Sequence, residues 1–366
     1  MIKFIYFICF IYMMIGLDLF SGAGGMSLGA LQCGVNVKYA VEIDPETATT
    51  FKNNHPEVDV LRADIGDVDH EYFSDLIIRT EPLIIFGGPP CQGFSTSNQR
   101  NRNSTNSKNW LFLEYLRLVK ALKPEWVIFE NVKGILETEK GLFFNSIVHG
   151  FEQLGYGVQH FVLNSANFGV PQIRNRLFLI ASLQKKEIKI PQPQSQIITV
   201  AEALSDLPLV SNGNMVCEQK YSAPPISSYA KIMRKNNETC FNNLVTRNAP
   251  HIIERYKFIP QGGNWENIPK ELMGNYKDVS RCHTGIYRRL KDTEPSVVIG
   301  NFRKNMLIHP WFDRGLSVRE AARLQSFPDN FIFSGTIGSQ QQQVGNAVPP
   351  LLAKAIFEQV MKAEYE

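Results

Sequence analysis

The sequence predicts an α/β protein with a parallel, doubly wound sheet and a second, smaller domain. In the first half of the 366 residues, apolar strand-like runs alternate with helix-like segments. A glycine-rich turn follows the first run directly, and the alternation stops after about residue 184. Strands that alternate with helices form parallel sheets, and these sheets bind ligands at the carboxyl ends of their strands. Chemistry-bearing residues are therefore expected at that edge.

The elements follow one another in a regular order. "IGLDLF" runs into the turn "SGAGG" and then into the helix-like "MSLGALQCG". "VKYAVEID" leads to "PETATTFKNNHP", where Pro45 suits the first position of a helix. Two further strands are predicted at "PLIIFGG" and "PEWVIFENV", with the helical "NWLFLEYLRLVKALK" between them.

Composition narrows the class of protein. The chain is 44% hydrophobic and 20% charged with a net charge of +3, which is ordinary for a globular enzyme. Its six cysteines form no C-x-x-C pair, so neither a metal site nor a disulfide framework is predicted, and a reducing, cytoplasmic setting is expected.

The N-terminus is apolar, with Lys3 as the single charge between residues 2 and 17. This run is shorter than the roughly 20 residues that span a membrane, so no stable membrane association is expected. We interpret residues 1–12 as an upstream extension, with the natural start at Met13 or Met14.

Residues suited to an adenosine-bearing cofactor recur at three successive strand ends. Gly22 and Gly24 allow close approach of a ligand, but Ser27 stands where a dinucleotide-binding motif has its third glycine. Glu42 and Asp64 follow the next two strands, where carboxylates can accept hydrogen bonds from ribose hydroxyls and an adenine amino group. The set predicts a pocket that needs no neutralisation of phosphate.

The run "FGGPPCQGFS" presents one cysteine, Cys91, behind two glycines and two prolines. Such a sequence builds a stiff loop around a single side chain. Taken alone, it fits either a buried free cysteine or a positioned nucleophile.

These motifs, together with "FENVKGI", "QIRNRLFLIA", "LSVREAARLQSFPDNF" and "VGNAVPP" in that order, resemble the bacterial restriction-modification type of DNA cytosine-5 methyltransferase. The resemblance extends from Met13 to the C-terminus. It implies a Rossmann-like, S-adenosylmethionine-dependent methyltransferase domain formed by residues 13–184 and 335–366. Residues 185–334 would form the target-recognition domain with its linker.

The resemblance also implies a covalent mechanism. Cys91 matches the thiolate that adds to carbon 6 of cytosine, which makes carbon 5 reactive enough to accept a methyl group. Glu130 matches the residue that contacts ring nitrogen 3 and the exocyclic amine, and Asn131 is expected to brace the loop. Arg174 and Arg176 match the arginines near the base. The base that removes the carbon 5 proton is not named by the sequence, and water is one possibility.

The cofactor implied by the resemblance is S-adenosyl-L-methionine. Phe20 would stack on adenine, Gly22 and Gly24 would approach the methionine part, and Glu42 would hold the ribose. The other expected contacts are Asp64 and Ile65 at the adenine ring, Pro90 and Leu111 around the pocket, and Asn346 from the far end of the chain.

The expected substrate is double-stranded DNA, because a basic loop and a basic region accompany the catalytic motifs. The target base must leave the duplex to react. The loop after Cys91 carries the candidate DNA contacts Ser97, Arg100, Arg102 and Lys108. Residues 231–314 contain 15 Lys and Arg against 8 Asp and Glu, and Arg288, Arg289 and Arg303 are candidate contacts to guanine edges or phosphates. We expect a monomer that functions alongside a restriction endonuclease.

Three other functions fit the motifs less well. An RNA cytosine methyltransferase would share Cys91 and Glu130 but usually lacks a long, basic segment between the last motif groups. An amino-group methyltransferase would carry an aromatic residue where Cys91 stands. A non-enzymatic DNA-binding relative fits poorly with intact Cys91, Glu130, Arg174 and Arg176.

Overall fold

A computed structural model describes residues 14–90, 111–274, 285–300, 302–304 and 306–366. Within these residues the main element is a seven-stranded sheet of order β3-β2-β1-β4-β5-β7-β6. Its strands are β1 (Met14–Leu19), β2 (Val35–Val41), β3 (Asp59–Leu61), β4 (Leu83–Gly87), β5 (Trp126–Val132), β6 (Gly157–Asn164) and β7 (Asn175–Ser182).

The sheet is parallel over its first five strands, as predicted, and becomes mixed beyond them. Strands β1 to β5 pair in parallel, whereas β7 pairs antiparallel with both β5 and β6. The connection from β6 to β7 is residues 165–174, with only the short 3₁₀-helix Ser165–Phe168 in it. A parallel pair needs a crossover of a dozen or more residues, so this short connection returns the chain antiparallel.

Helices cover both faces of the sheet. The helix after β2 begins where the sequence predicts, with Pro45 in its first turn and the Asp44 side chain accepting a hydrogen bond from the Thr47 amide. The helices of this part are α1 (Gly25–Gln32), α2 (Pro45–Asn54), α3 (Ser74–Ile77), α4 (Leu111–Leu122), α5 (Leu142–Gln153) and, from the end of the chain, α11 (Pro350–Tyr365). Short 3₁₀-helices lie at Ile65–Asp67, His70–Phe73, Lys133–Leu136 and Thr138–Gly141.

Alternate residues of the strands pack into two separate hydrophobic cores, one on each face of the sheet. Leu83 and Ile85 face the core that contains α4 and α5, whereas Ile84 and Phe86 face the core beneath α1 and α11. Helix α11 packs closely against α1. A Cβ on Gly29 of α1 would lie 2.7 Å from the Ala353 Cβ of α11. The C-terminal helix thus packs on α1 and on the core beneath the sheet.

The region after β7 contains short elements around a third core. "IPQPQSQ" has no regular structure. The third core includes Ala23 from the glycine turn and both Phe333 and Val344, so it crosses the predicted boundary at residue 334. The elements are α6 (Val200–Leu204), β8 (Gln219–Lys220), α7 (Ser228–Arg234), β9 (Thr239–Cys240), α8 (Pro250–Lys257), α9 (Val318–Leu324) and α10 (Ile337–Asn346), with 3₁₀-helices at Trp265–Asn267 and Lys270–Met273.

Buried ion pairs hold the third core together. Arg323 on α9 is fully buried and pairs with Asp206 at 3.0 Å and Asp329 at 2.5 Å. Arg314 pairs with Glu320 at 2.6 Å. A buried charge is tolerated only when it is paired, which explains why the motif "LSVREAARLQSFPDNF" contains two arginines together with two acids.

The N-terminal extension lies outside the described residues, so its interpretation stays a prediction. Among the helices that the structure does describe, none combines the length and the apolar character needed to cross a membrane.

Candidate active site

The turn after β1 has an unusual backbone. Phe20, Gly22 and Gly24 have positive φ angles of 59°, 55° and 94°. A Cβ on Gly24 would lie 2.7 Å from Nε2 of His55, so a side chain there would clash as well as strain the backbone. Burial lowers the pKa of His55 to about 4, so a neutral imidazole packs against the turn.

A buried carboxyl group braces the turn from below. Asp18 is 1% exposed, and its Oδ2 accepts a hydrogen bond of 2.6 Å from Oγ of Ser27 on α1. Burial raises the pKa of Asp18 to about 8, so this carboxyl group is largely protonated at neutral pH. The bond ties the end of β1 to the first turn of α1.

The outer side of the turn is open and polar. A Cβ on Gly22 would meet no atom within 4 Å. Ser21 Oγ is buried and has no hydrogen-bond partner among the described residues. Glu42 lies beside this space and accepts hydrogen bonds of 2.9 Å from the amides of Gly22 and Asp44. Burial raises the pKa of Glu42, although these two bonds favour its charged form.

The neighbouring strand ends line the same edge of the sheet. Asp64 is exposed and accepts a hydrogen bond of 3.0 Å from the Gly66 amide, while Ile65 is buried. Ile43, directly after Glu42, is 61% exposed. Leu111 starts α4 and packs partly buried on the core beneath it.

The residues that follow β4 pass close to the side chain of Glu130. Gly87 has a φ of 155° and lies so close to Leu19 that its backbone leaves no room for a Cβ. A Cβ on Gly88 would lie 2.5 Å from Oε2 of Glu130. The Asn131 side chain donates a hydrogen bond of 3.3 Å to the Pro89 carbonyl, which confirms its bracing role. Pro90 is exposed, and the next residue, Cys91, lies outside the described residues.

Glu130 is buried in a cationic surrounding. Its Oε1 lies 2.9 Å from Nε of Arg176 on the paired strand β7, and both side chains are largely buried. Burial raises the pKa of Glu130, whereas Arg176 first and Arg174 second oppose that rise. A carboxyl group of this kind can carry a proton closer to neutral pH than an exposed glutamate can.

Arg174 has a different role from Arg176. Its guanidinium is 2% exposed and donates hydrogen bonds of 3.0 Å to the carbonyls of Ile299 and Gly345. Its Nε has no partner among the described residues. Asn346, next to Gly345, is exposed at the end of α10. Arg174 thus joins three distant segments behind the pocket, and Arg176 is the arginine that contacts Glu130.

Comparison with known proteins decides the family. Residues 14–362 match the C-5 cytosine-specific DNA methylase family. The chain belongs to this family. The methyltransferase is 37% identical to the type II methyltransferase M1.HphI of Haemophilus parahaemolyticus, over 94% of this chain and 86% of that protein. It is 34% identical to the type II methyltransferase M.DdeI of Desulfomicrobium norvegicum, over 94% and 88% of the two chains.

Solved structures show the same fold. A prophage-encoded DNA modification methyltransferase of E. coli superposes with a TM-score of 0.79 at 26% identity, over 96% of this chain and 100% of that one. The Entamoeba histolytica methyltransferase EhMeth superposes with a TM-score of 0.64 at 15% identity, over 96% and 99%. The protein is therefore a DNA cytosine-5 methyltransferase, and the resemblance identified from its motifs is confirmed.

The candidate DNA contacts of the methyltransferase differ in their exposure to solvent. Arg303 is exposed and Arg288 is partly buried, so both remain candidates. Ser97, Arg100, Arg102 and Lys108 lie outside the described residues.

Arg289 is not available to DNA in this structure, contrary to our expectation. Its side chain is 7% exposed, and its five N–H donors all have partners within the protein. Because the chain folds over it, the side chain holds loops together instead of facing a groove. The acceptors, all within 3.1 Å, are the carbonyls of Tyr256, Ile259, His309 and Phe312 and the Asp313 carboxylate.

Sequence reasoning missed several residues of the site. Ser21 and Ile43 adjoin residues that were predicted, and their strand-end positions were the available signal. Gln172 and Gln325 are fully buried and bond to each other, and Gln172 lies two residues before Arg174. They lie in "PQIRNR" and "RLQSFP". These motifs carry the family resemblance, but the sequence indicates no role for the two glutamine side chains.

Proposed function

We propose that the methyltransferase moves a methyl group from S-adenosyl-L-methionine to carbon 5 of a flipped-out cytosine in a short duplex sequence, through a covalent adduct with Cys91. One observation carries the proposal. The buried Glu130, paired with Arg176, touches the Gly88 turn that leads into Cys91, at the same sheet edge as the glycine turn. We also propose pairing with a restriction endonuclease, since relatives are named type II methyltransferases.

The residues present fit this cofactor. The space beside Gly22 is open, and the unpartnered Ser21 hydroxyl is a ready hydrogen-bond donor or acceptor. Each Glu42 oxygen already accepts one bond and retains a second lone pair for a ribose hydroxyl. The methionine part would lie along the turn, and the adenine ring would lie among Phe20, Ile43, Asp64 and Ile65. When bound, this cofactor supplies an electrophilic methyl group on a positively charged sulfur.

The protein residues share the remaining work. The Cys91 thiolate would add to carbon 6, which leaves carbon 5 electron-rich. Burial raises the pKa of Glu130, and its protonated form would donate to nitrogen 3 and accept from the exocyclic amine as the ring gains charge. Arg176 would hold the Glu130 carboxyl group in that orientation. Loss of the carbon 5 proton to a base, with water as a candidate, then releases Cys91 as carbon 6 becomes sp² again.

DNA is expected to bind between the catalytic edge and the basic region. Flipping the target base costs a few kcal/mol. The predicted contacts of the loop, Ser97, Arg100, Arg102 and Lys108, would offset this cost at the backbone near the vacated stack. Arg303 and Arg288 would contact DNA from the other side.

Bisulfite sequencing tests the product and the specificity together. We expect DNA from cells that express the chain to carry 5-methylcytosine in one short, fixed motif. The same DNA should resist an endonuclease that cleaves at that motif. Methylation without a fixed context would contradict the recognition role of residues 231–314, and methylated RNA with unmodified DNA would contradict the proposed substrate.

The salt dependence of DNA binding distinguishes Arg303 from Arg289 as DNA contacts. Log affinity for duplex DNA should fall linearly with log salt, with a slope of about −0.9 for each phosphate contact. Arg303→Ala should flatten the slope by about one unit if this exposed side chain touches phosphate. Arg289→Ala is the matched control: it should leave the slope unchanged and lower the thermal midpoint, because its donors are used within the protein. An unchanged slope for Arg303→Ala would remove Arg303 from the interface.

A further inference from the structure

The segment of residues 296–300 is fixed at both ends by the catalytic domain. At one end, the Ser296 amide donates to the Pro171 carbonyl at 2.9 Å, and the Ile173 amide donates to the Ser296 carbonyl at 2.8 Å. Between the ends, Val297 and Val298 are 36% and 47% exposed. This short piece of the basic region therefore presents two side chains to solvent from a pinned backbone.

At the other end, side chains hold both polar groups of the Ile299 backbone. The Ile299 amide donates to Gln172 Oε1 at 2.8 Å. The Ile299 carbonyl accepts from Arg174 at 3.0 Å and from Gln325 Nε2 at 3.4 Å. Gln172 and Gln325 are themselves joined by a bond of 2.8 Å, and Gln325 also donates to the Val344 carbonyl at 2.7 Å. We call Gln172 and Gln325 the amide clamp.

The clamp connects directly to the pocket. Gln172 and Arg174 lie two residues apart on the approach to β7, and Arg176 follows on the same strand, where it pairs with Glu130. The next residue of the segment, Gly300, touches Gly345 so closely that Gly345 has no room for a Cβ. A shift of the segment would therefore disturb its hydrogen bonds to Gln172 and Arg174.

The clamp fixes position as well as adding stability. Both amides are fully buried and bond to backbone groups of Ile299 and Val344, so removing an amide would leave buried polar groups without partners. A satisfied polar network also fixes one backbone position, since each donor accepts only a narrow range of geometry.

We propose that Gln172 and Gln325 are positioning residues that couple recognition of the DNA sequence to methyl transfer by holding residues 296–300 in register with the Glu130 pocket. The inference rests on the proposed function. A correct sequence would seat DNA on the segment without moving it, whereas a wrong base pair would displace the segment, and the clamp would transmit that displacement to Arg174 and β7.

The test is a ratio of rates. Single-turnover methylation is measured on two duplexes. The first carries the motif found by bisulfite sequencing. The second keeps the target cytosine, but one other base pair of the motif is changed. We expect Gln172→Met and Gln325→Met to lower the ratio of these two rates by about tenfold, a typical share of single-mismatch discrimination. Partial unfolding would reduce both rates equally and leave the ratio unchanged.

Gln343→Met is the matched control. This buried glutamine on α10 also donates two hydrogen bonds of 3.0 Å, to the Ser334 carbonyl and to Ser339 Oγ, and contacts no residue of the segment through them. Its ratio should equal that of the wild type. If a methionine variant fails to fold, Gln172→Asn keeps an amide that is one methylene too short, and the same fall in the ratio is expected.

Two outcomes are distinguishable. If the clamp variants and Gln343→Met all keep the wild-type ratio, the coupling role is wrong while the methyltransferase activity stands. If the wild type forms no 5-methylcytosine in any duplex, the proposed function itself fails.

Discussion

Cys91→Ala is expected to abolish formation of 5-methylcytosine while binding of DNA and cofactor persists. The change removes the nucleophile from a loop whose approach is fixed by Gly87, Gly88 and the bond from Asn131 to Pro89. Without addition at carbon 6, carbon 5 remains too weak a nucleophile to accept a methyl group. The measurement is methyl transfer from labelled S-adenosylmethionine to duplex DNA, with affinities measured in parallel.

Covalent trapping gives the same prediction a direct readout. Duplex DNA with 5-fluorocytosine at the target should hold the wild-type enzyme in a complex that survives denaturation and requires S-adenosylmethionine, because fluorine stands where a proton must leave. Cys91→Ala should form none. Cys217→Ala, which removes an exposed thiol in the other region, should trap like the wild type. Methylation by Cys91→Ala would show that the covalent mechanism is wrong.

The fold could be predicted from the sequence as far as local signals reach. Apolar runs and Pro45 located β1, β2, β4, β5 and the start of α2, because each signal lies within a few residues of the element it forms. The antiparallel β7 was not predicted, because its apolar run resembles that of any buried strand. Its direction follows from the length of the connection between residues 165 and 174.

The candidate site divides in the same way. Glu42 and Asp64 were predicted because they follow strands at the ligand-binding edge, whereas the role of Glu130 came from the resemblance of its motif. The contrast between Arg288, Arg289 and Arg303 could not be predicted, since the sequence shows three similar charges. Arg289 is buried because the last turn of α8, at Tyr256, and the loop at Phe312 direct their carbonyls at it. The amide clamp likewise joins residues more than 120 positions apart.

Glu130→Gln is expected to slow methyl transfer by roughly a hundredfold, a typical contribution of a positioned acid. Glutamine occupies the same space but has no carboxyl proton to place at nitrogen 3. Glu125→Gln is the matched control. Glu125 is also partly buried and pairs with an arginine, Arg79, at 2.9 Å, but it precedes β5 at the opposite end of that strand. It should leave the rate unchanged.

The dependence of the methylation rate on pH tests whether Glu130 acts as the acid. Because its pKa is raised by burial, the protonated form persists further toward neutral pH and is lost as pH rises through that pKa. The single-turnover rate should therefore decline on the alkaline side in the wild type, and Glu130→Gln should not show this decline. Arg176→Ala removes the strongest opposing charge, so the pKa of Glu130 should rise further and the decline should move to higher pH. A decline that stays in place in both variants would mean that another group titrates and that Glu130 does not act as the acid.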